Sequence, residues 1–256
     1  MCYHYSIKYK KEVYMRFYLT FELEKSSLPK DYRRIILSYI KKSLTEILDG
    51  RYYSQYFKDN IQKDFCFSLK LPKAKFTKDE IILEDNSIKV LFTSDDRQKT
   101  GLLLQQAFMK QKNKKFLITN QNSITLKQIH QQREQKITSS KVIFKTYGLC
   151  IRDHNKETNK DNHYVYSDEK FNEQLKVVLK NQISQTGFSK DIVDSIKFSP
   201  INCKKVLVKH YDTYVDTTVG SFLLEGNPLL LQYLYDVGMG SRNTMFGYLD
   251  LLTQDL

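Results

Sequence analysis

The sequence predicts an α+β protein made of two tandem ferredoxin-like domains, each a βαββαβ unit of the kind also found in RNA-recognition motifs (RRM-like). Two observations predict it. Each half begins with a strand-like run and an amphipathic helix, and each continues with a hairpin, a second helix and a closing strand. At 256 residues the chain can bury two cores of ordinary size. We place the domains at residues 15–137 and 138–256, after an N-terminal extension at residues 1–14.

The first half follows this pattern from its first strand. The stretch MRFYLTFELE (15–24) alternates and is rich in aromatic residues, which predicts a strand. Residues 28–50 have Ile, Leu and Tyr at helical spacing, with Pro near the start and Gly at the end, which predicts a helix. The remaining elements are a strand at 64–72, a hairpin at 80–94 that turns at Asp85-Asn86, a helix at 96–112 and one closing strand at 115–130.

The second half has the same order without repeating the sequence. A strand at 139–153 leads into a polar segment, HNKETNKDNHY, which predicts a flexible loop, and a helix then begins at a Ser167 N-cap. A long hairpin is predicted at 197–226. A short helix runs from Pro228 to Gly238, and the stretch MFGYLDLL (245–252) is the last strand.

The charge balance favours a polyanionic partner. The chain has 41 Lys and Arg against 29 Asp and Glu, a net charge of +12. Nucleic acid and an anionic membrane surface both fit this excess, and a lysine-rich genome would also produce it. The 18 Tyr and 15 Phe favour nucleic acid, because aromatic rings stack on bases. No stretch approaches the roughly 18 apolar residues of a membrane span, so no membrane partner is expected.

The cysteines predict a reduced compartment. Cys2, Cys66, Cys150 and Cys203 are far apart, and three of them lie in apolar runs, as reduced core thiols do. The N-terminus lacks the apolar region of a signal peptide. We therefore expect a cytoplasmic protein. The sequence has no His-x-x-x-His, no Cys-x-x-Cys and no dense Asp/Glu cluster, so neither a metal nor another cofactor is predicted.

Three glycines separate the last helix from the last strand, in DVGMGSRNTMFGYLDLL (236–252). Phosphate-binding loops of the Walker and dinucleotide types follow a strand, so this order excludes both. Gly238, Gly240 and Gly247 would let backbones approach closely and leave N–H groups, with Ser241 and Arg242, available for phosphate oxygens. A helix C-cap followed by a tight turn is the structural alternative.

The tandem units, the basic charge and this loop resemble the repeat-associated (RAMP) superfamily of CRISPR proteins, in particular the Cas-six endoribonucleases. GMGSRNTMFGYL is similar to the family's Gly-apolar-Gly and Gly-Phe-Gly motif, although the first Gly of Gly-Phe-Gly is missing. KDFCFSLKLP and KVIFKTYGLCIRDHNKETNKDNHYV are similar to two further family segments. The resemblance covers nearly the whole chain from Met15.

The resemblance implies cleavage of CRISPR repeat RNA in the precursor transcript to give mature guide RNAs. The 2′-hydroxyl of the RNA would attack the adjacent phosphate without a metal and leave 2′,3′-cyclic phosphate and 5′-hydroxyl ends. Repeat RNA is therefore the expected partner, and other subunits of a CRISPR effector complex are further candidates. A monomer and a homodimer are both compatible with the sequence.

The resemblance identifies the catalytic residues less directly. Many members have a catalytic histidine shortly after the first helix, where this chain instead has Tyr52, Tyr53 and Tyr56, which are therefore candidate catalytic residues. His154 follows Arg152 and Asp153 at a strand end and is the candidate acid or base, with a solvated loop histidine as the alternative. The candidate RNA contacts are Gly238, Gly240, Ser241, Arg242, Gly247, Lys141, Lys145 and Arg152, where Lys141 and Lys145 share one strand face.

Two functions remain open at this point. The complete tandem architecture and the Arg-Asp-His-Asn segment at 152–155 favour a metal-independent endoribonuclease. The missing histidine after the first helix favours a non-catalytic RNA-binding subunit of a CRISPR effector complex.

Overall fold

The computed structural model describes residues 15–58, 61–71, 73–119, 121–211 and 213–254. The predicted N-terminal extension at residues 1–14 lies outside the described residues. The strands of the first half are β1 Met15–Leu23, β2 Ser27–Pro29, β3 Phe65–Lys70, β4 Lys75–Phe76, β5 Glu80–Ile82, β6 Ser87–Ser94, β7 Lys115–Thr119 and β8 Asn122–Gln131. The helices of this half are α1 Tyr32–Thr45, α2 Arg51–Phe57 and α3 Thr100–Gln111, with short 3₁₀ turns at Leu48–Gly50 and Asp96–Gln98.

The first sheet has the strand order β3-β6-β1-β8-β7, and every pair in it is antiparallel. Its first four strands have the ferredoxin-like arrangement. Apolar side chains alternate along β1, so Phe17, Leu19 and Phe21 are fully buried on one face of the sheet. Helices α1 and α3 supply the rest of this core, where the rings of Phe17 and Phe92 stack with centroids 4.8 Å apart.

The second half contains a four-stranded sheet of the same type. Its strands are β9 Lys141–Leu149, β10 Ile151–Asn155, β11 Lys160–Tyr164, β12 Lys197–His210, β13 Thr213–Glu225 and β14 Leu249–Thr253. Its helices are α4 Phe171–Gln182 and α5 Pro228–Val237, with a 3₁₀ turn at Lys190–Val193. The order β12-β13-β9-β14 is again antiparallel throughout and ferredoxin-like. The predicted fold class is confirmed, whereas the domain boundary at residue 137 stays a prediction.

The two halves meet on the face of the first sheet that α1 and α3 do not cover. There Cys66 and Leu91 form a small buried cluster with Tyr248, which lies just before β14. Arg16 projects from β1 into the same interface and is buried. Its guanidinium lies 3.8 Å from the centroid of the Tyr235 ring on α5.

Three elements of the first half differ from the prediction. The first helix begins at Tyr32 and not at residue 28, because Ser27–Pro29 is strand β2 and pairs with β5. Residues 80–94 are not a hairpin, since β5 pairs with β2 and β4 in a separate three-stranded sheet. The closing strand is a hairpin of β7 and β8.

The second half differs at its polar segments. Residues 151–164 form the β10–β11 hairpin and are not a loop, so His154 lies on a strand. Helix α4 begins at Phe171 and not after Ser167, because the Phe171 N–H donates to the Asp168 carbonyl in a preceding turn. The last strand begins at Leu249, since the N–H groups of Met245 and Phe246 donate back to the Arg242 carbonyl.

Candidate functional site

A groove of about 780 Å³ opens where the two halves meet. One wall comes from α1, the end of α2 and the segment before β3, and the other from the β10–β11 hairpin, α4 and the glycine-rich loop. Five cationic side chains line it: Lys41, Lys58 and Lys63 on the first wall, and Arg152 and Arg242 on the second. Such a concentration of positive charge in a cleft attracts a polyanionic ligand.

The β10–β11 hairpin places His154 opposite a carboxylate. His154 pairs across the hairpin with Asp161, and His154 Nδ1 lies 2.7 Å from Asp161 Oδ1. The carboxylate that contacts His154 is therefore not Asp153, its neighbour in the sequence. An ionised carboxylate can only accept, so Nδ1 carries the proton of this bond and Nε2 is left as the basic nitrogen. The His154 side chain is 39% exposed, so a ligand in the groove can reach it.

Asp161 also fixes the two arginines of this wall. Arg152 Nη1 donates to both carboxylate oxygens, at 3.1 and 2.9 Å, and Arg242 Nη2 lies 3.3 Å from Oδ2. Burial raises the pKa of Asp161, but the hydrogen bonds from Arg152 and His154 and the charge of Arg242 outweigh it, so the pKa is below its ordinary value. Asp161 thus stays ionised and holds one imidazole and two guanidinium groups together.

Two residues that the sequence did not single out belong to this environment. Burial and the charge of Arg242 lower the pKa of His163, which pairs with Arg152 across the hairpin. Burial and the charge of Lys41 lower the pKa of Lys63, whose Nζ donates to the Ile61 carbonyl at 2.7 Å. Strand alternation would have placed His163 beside Asp161, whereas no local pattern marks Lys63.

The glycine-rich loop corrects one prediction. The Gly240 N–H donates to Gln182 Oε1 at 3.0 Å, and the Gly247 N–H donates to the Gly148 carbonyl at 2.6 Å. The Ser241 N–H donates to the Cys150 carbonyl at 2.8 Å. The prediction that the N–H groups of this loop are available for phosphate oxygens is therefore wrong for these three residues, because protein acceptors already bind them.

The glycines are instead required for close packing. A Cβ at Gly247 would lie 2.0 Å from the Met239 carbonyl oxygen, and one at Gly240 would lie 2.7 Å from the Cys150 carbonyl oxygen. Both residues have positive φ, +110° and +103°. At Gly238 a Cβ would lie 2.7 Å from Cys66 Sγ, across the interface between the halves. The expected close approach of backbones is thus present, and contact of these glycines with RNA stays a prediction.

Ser241 and Arg242 line the groove, together with Gly240 and residues 243–245 of the same loop. The Arg152 N–H donates to Ser241 Oγ at 3.0 Å, so this hydroxyl joins the loop to the hairpin. Arg242, Arg152 and His154, all predicted site residues, are brought together here.

The tyrosines after the first helix lie elsewhere. Tyr56 is buried, its hydroxyl is 2.6 Å from Thr100 Oγ1, and Thr100 Oγ1 donates to Asp64 Oδ2. Tyr56 as a catalytic residue is therefore wrong, because its hydroxyl is enclosed in the first core. Tyr52 and Tyr53 are half-buried against the same core and are not among the residues that line the groove.

Lys141 and Lys145 are exposed on one face of β9, as predicted. Lys141 Nζ lies 3.4 Å from Glu225, whereas Lys145 Nζ lies 5.6 Å from the centroid of the Tyr147 ring. Lys70 is 5.7 Å from the same ring. The neighbouring sheet adds Tyr18, with Lys89 at 5.1 Å. We call Tyr18, Tyr147, Lys70, Lys89 and Lys145 the lysine–tyrosine surface.

The described residues contain neither a cluster of metal ligands nor a membrane-spanning helix. Among the side chains that the structure describes, no three or more His, Cys, Asp or Glu residues are grouped closely enough to hold a metal ion. None of the described helices has the length and apolar character needed to cross a membrane.

The fold is similar to that of solved RAMP and Cas6 structures. A structure described as an RAMP protein binding different RNA substrates is 19% identical, with a TM-score of 0.77, over 93% of this chain and 100% of that chain. A Cas6-related protein from Pyrococcus furiosus is 17% identical, with a TM-score of 0.80, over 95% and 100%. A structure described as CRISPR associated protein Cas6 is 17% identical, with a TM-score of 0.72, over 94% and 100%. At these identities the likeness concerns the fold.

A family model adds evidence from the sequence itself. The model described as CRISPR associated protein Cas6, C-terminal, matches residues 130–251, just under half of the chain. The predicted resemblance to the Cas-six family is therefore confirmed, by this match and by the fold of the whole chain. None of the curated proteins matches the sequence.

Proposed function

We propose that this protein binds CRISPR repeat RNA and cleaves it as a metal-independent endoribonuclease of the Cas6 type, releasing mature guide RNAs. One observation carries the proposal: an imidazole oriented by Asp161 lies in a groove with five cationic side chains. The Cas6 family match over the second half and the RNA-binding RAMP protein of the same fold support it.

The chemistry follows from the substrate. RNA supplies its own nucleophile, so the protein has to bind the phosphate, stabilise the charge that develops on it and transfer protons. Arg152 and Arg242, both held by Asp161, bind the scissile phosphate from one wall, and Lys63 faces them from the other. His154 Nε2 exchanges the proton as acid or base, while Asp161 holds the ring by Nδ1. The products are a 2′,3′-cyclic phosphate and a 5′-hydroxyl.

The lysine–tyrosine surface extends the RNA-binding area. The Tyr147 ring offers a stacking position for an unpaired base, whereas Tyr18 already stacks on His130 with ring centroids 4.7 Å apart. The lysines can neutralise phosphates. Lys145 was predicted as an RNA contact and is an exposed member of this surface, with its Nζ 5.6 Å from the centroid of the Tyr147 ring. Lys141 is a weaker candidate, since its ammonium lies near Glu225.

The test is cleavage of labelled repeat RNA, from the genome that encodes the protein, in excess EDTA. We expect single-site cleavage that persists in EDTA and ends in a 2′,3′-cyclic phosphate. A 2′-deoxy substitution at the cut nucleotide removes the nucleophile and should abolish cleavage without loss of binding. Binding without cleavage would contradict the enzyme and favour a non-catalytic RNA-binding subunit. Cleavage that requires a divalent metal would contradict the mechanism.

A further inference from the structure

A second compartment, of about 310 Å³, opens beside the groove. The two share Gln62, Lys63 and Gln182, so one ligand can occupy both. The far side of the smaller compartment has a different chemical character. It carries Arg97, Tyr233, Gln98 and Gln185, together with the carboxylates of Asp64 and Asp95. The function proposed above does not use any of these six residues.

Arg97 is held in one orientation. Its Nε donates to Asp95 Oδ2 at 2.5 Å, and its backbone N–H donates to Oδ1 of the same carboxylate at 3.1 Å. Asp95 is buried, and the guanidinium lies 5.8 Å from the centroid of the Tyr233 ring. The Arg97 side chain is nevertheless 43% exposed. A planar cation that is oriented by a carboxylate and remains 43% exposed is a stacking platform for a nucleobase.

The amides around this platform can read the edge of a base. A glutamine amide donates and accepts, so it distinguishes bases by their hydrogen-bonding pattern. Gln98 and Gln185 are exposed, which leaves their amides accessible to a ligand. Gln182 is different, because both atoms of its amide are already bonded to the glycine-rich loop.

We propose that the second compartment is a base-recognition subsite, in which one nucleobase next to the scissile phosphate stacks on Arg97 and is read by Gln98 and Gln185. This inference rests on the proposed function, because it assumes an RNA strand in the adjoining groove. Lys63 marks the passage between the two compartments and binds the phosphate that joins the two nucleotides. The subsite would determine the position of cleavage relative to one base of the RNA.

The experiment uses a random-sequence RNA library incubated with the full-length protein in EDTA. Both the bound and the cleaved RNAs are sequenced, for the parental protein and for Arg97→Lys, Gln98→Ala and Arg133→Lys. Arg97→Lys keeps the charge beside Asp95 but loses the plane of the guanidinium. Arg133→Lys makes the same change at an exposed position outside both compartments and is the control. Melting temperatures show that each variant folds.

We expect the parental protein to prefer particular bases at one position next to the cut. Arg97→Lys and Gln98→Ala should each reduce the preference at that position by about 5- to 100-fold and leave other positions unchanged. Unaltered preferences in both variants, or an equal reduction at every position, would overturn the subsite. The bound pool keeps the test separate from the proposed function: RNA that is bound but not cut contradicts the enzyme and still reports base preference.

Discussion

Arg16 on β1 and Tyr248 before β14 are 232 residues apart in the chain, yet Arg16 Nε donates a 3.2 Å hydrogen bond to the Tyr248 hydroxyl inside the protein. The same guanidinium donates to the Leu249 carbonyl through Nη2 and lies against the rings of Tyr235 and Tyr248. A single buried cation therefore joins the first strand of one sheet to the last strand of the other. The groove depends on this interface, because its two walls belong to different halves.

Arg16→Met should destabilise the fold by about 2 to 6 kcal/mol. Methionine can fill much of the space, but the Tyr248 hydroxyl and the Leu249 carbonyl would lose a buried partner, and each loss costs about 1 to 3 kcal/mol. Urea unfolding gives the free energy. Arg133→Met, at an exposed position, should change it by less than about 0.5 kcal/mol. Equal values for the two variants would show that Arg16 does not hold the halves together.

Gly247→Ala should be far more destabilising than Gly187→Ala. Both glycines have positive φ, +110° and +84°, so an added Cβ strains both backbones. At Gly187 nothing lies within 4 Å of the added Cβ, whereas at Gly247 it would meet the Met239 carbonyl at 2.0 Å. We expect a loss of about 1 kcal/mol at Gly187 and more than about 3 kcal/mol, or failure to fold, at Gly247. Similar melting temperatures for the two variants would contradict the packing described for this loop.

His154→Ala should slow single-turnover cleavage of repeat RNA by about 10² to 10⁴-fold, the usual contribution of a general acid or base. RNA affinity should be retained, because the cations of the groove remain. Asp161→Asn tests the orientation of the ring and should also slow cleavage. Rates and dissociation constants are measured together, so that a loss of binding is distinguished from a loss of chemistry.

The tyrosines provide the matched controls for His154. Tyr56→Phe removes a buried hydroxyl and should cost about 1 kcal/mol of stability without changing the cleavage rate. Tyr52→Phe and Tyr53→Phe should cleave at the parental rate. If one of these three variants is slow and His154→Ala is not, the catalytic centre lies after the first helix, where many members of the resembled family have their histidine.

The stability should fall between pH 6.5 and pH 4 because of His210. Burial, followed by the charges of Arg242, Arg33 and Arg34, lowers the pKa of this histidine from 6.5 to about 4. The unfolded chain takes up a proton as the pH falls through 6.5, whereas the folded protein does so only near pH 4. Protonation of His210 therefore takes nothing from the free energy of unfolding above pH 6.5. It lowers that free energy by about 2 kcal/mol at pH 5.

The His210→Gln variant isolates this effect. Urea unfolding at pH 7.5 and pH 5 should show a difference for the variant that is about 2 kcal/mol smaller than for the parental protein. His210 is buried, and its Nδ1 has no hydrogen-bond partner among the described residues, so a glutamine here also changes the absolute stability. Only the pH dependence is compared for that reason. Parallel pH profiles would mean that another group titrates in this range.

Local patterns predicted the sheets well and the small connections poorly. Alternation along β1, β9 and the β12–β13 hairpin was strong, because one face of each strand is buried. The β10–β11 hairpin has polar residues on both faces, so its segment resembled a loop. Strands β5 and β2 pair although they are about fifty positions apart in the chain. A pattern within a short stretch of sequence cannot predict such a pairing.

The candidate site was only partly predictable for the same reason. Arg152, His154 and Arg242 carry functional groups in suggestive stretches of sequence, and these were found. Asp161, their common partner, became recognisable only through the strand register of the hairpin. Lys63 lines the opposite wall, and its role depends on how the two halves pack. The glycine N–H groups were assigned to a ligand because their protein acceptors lie in α4 and β9.

The side-chain amide of Gln182 pairs with the backbone of the glycine-rich loop as a neighbouring strand would. This amide donates to the Gly238 carbonyl at 2.7 Å and accepts from the Gly240 N–H at 3.0 Å, as a peptide group in an adjacent strand would. In hydrogen–deuterium exchange, the amides of this irregular segment should therefore be protected like those of the folded core. The amides of Met239, Gly240, Ser241 and Gly247 would exchange as slowly as those of the central strands, and Gln182→Glu would release the loop.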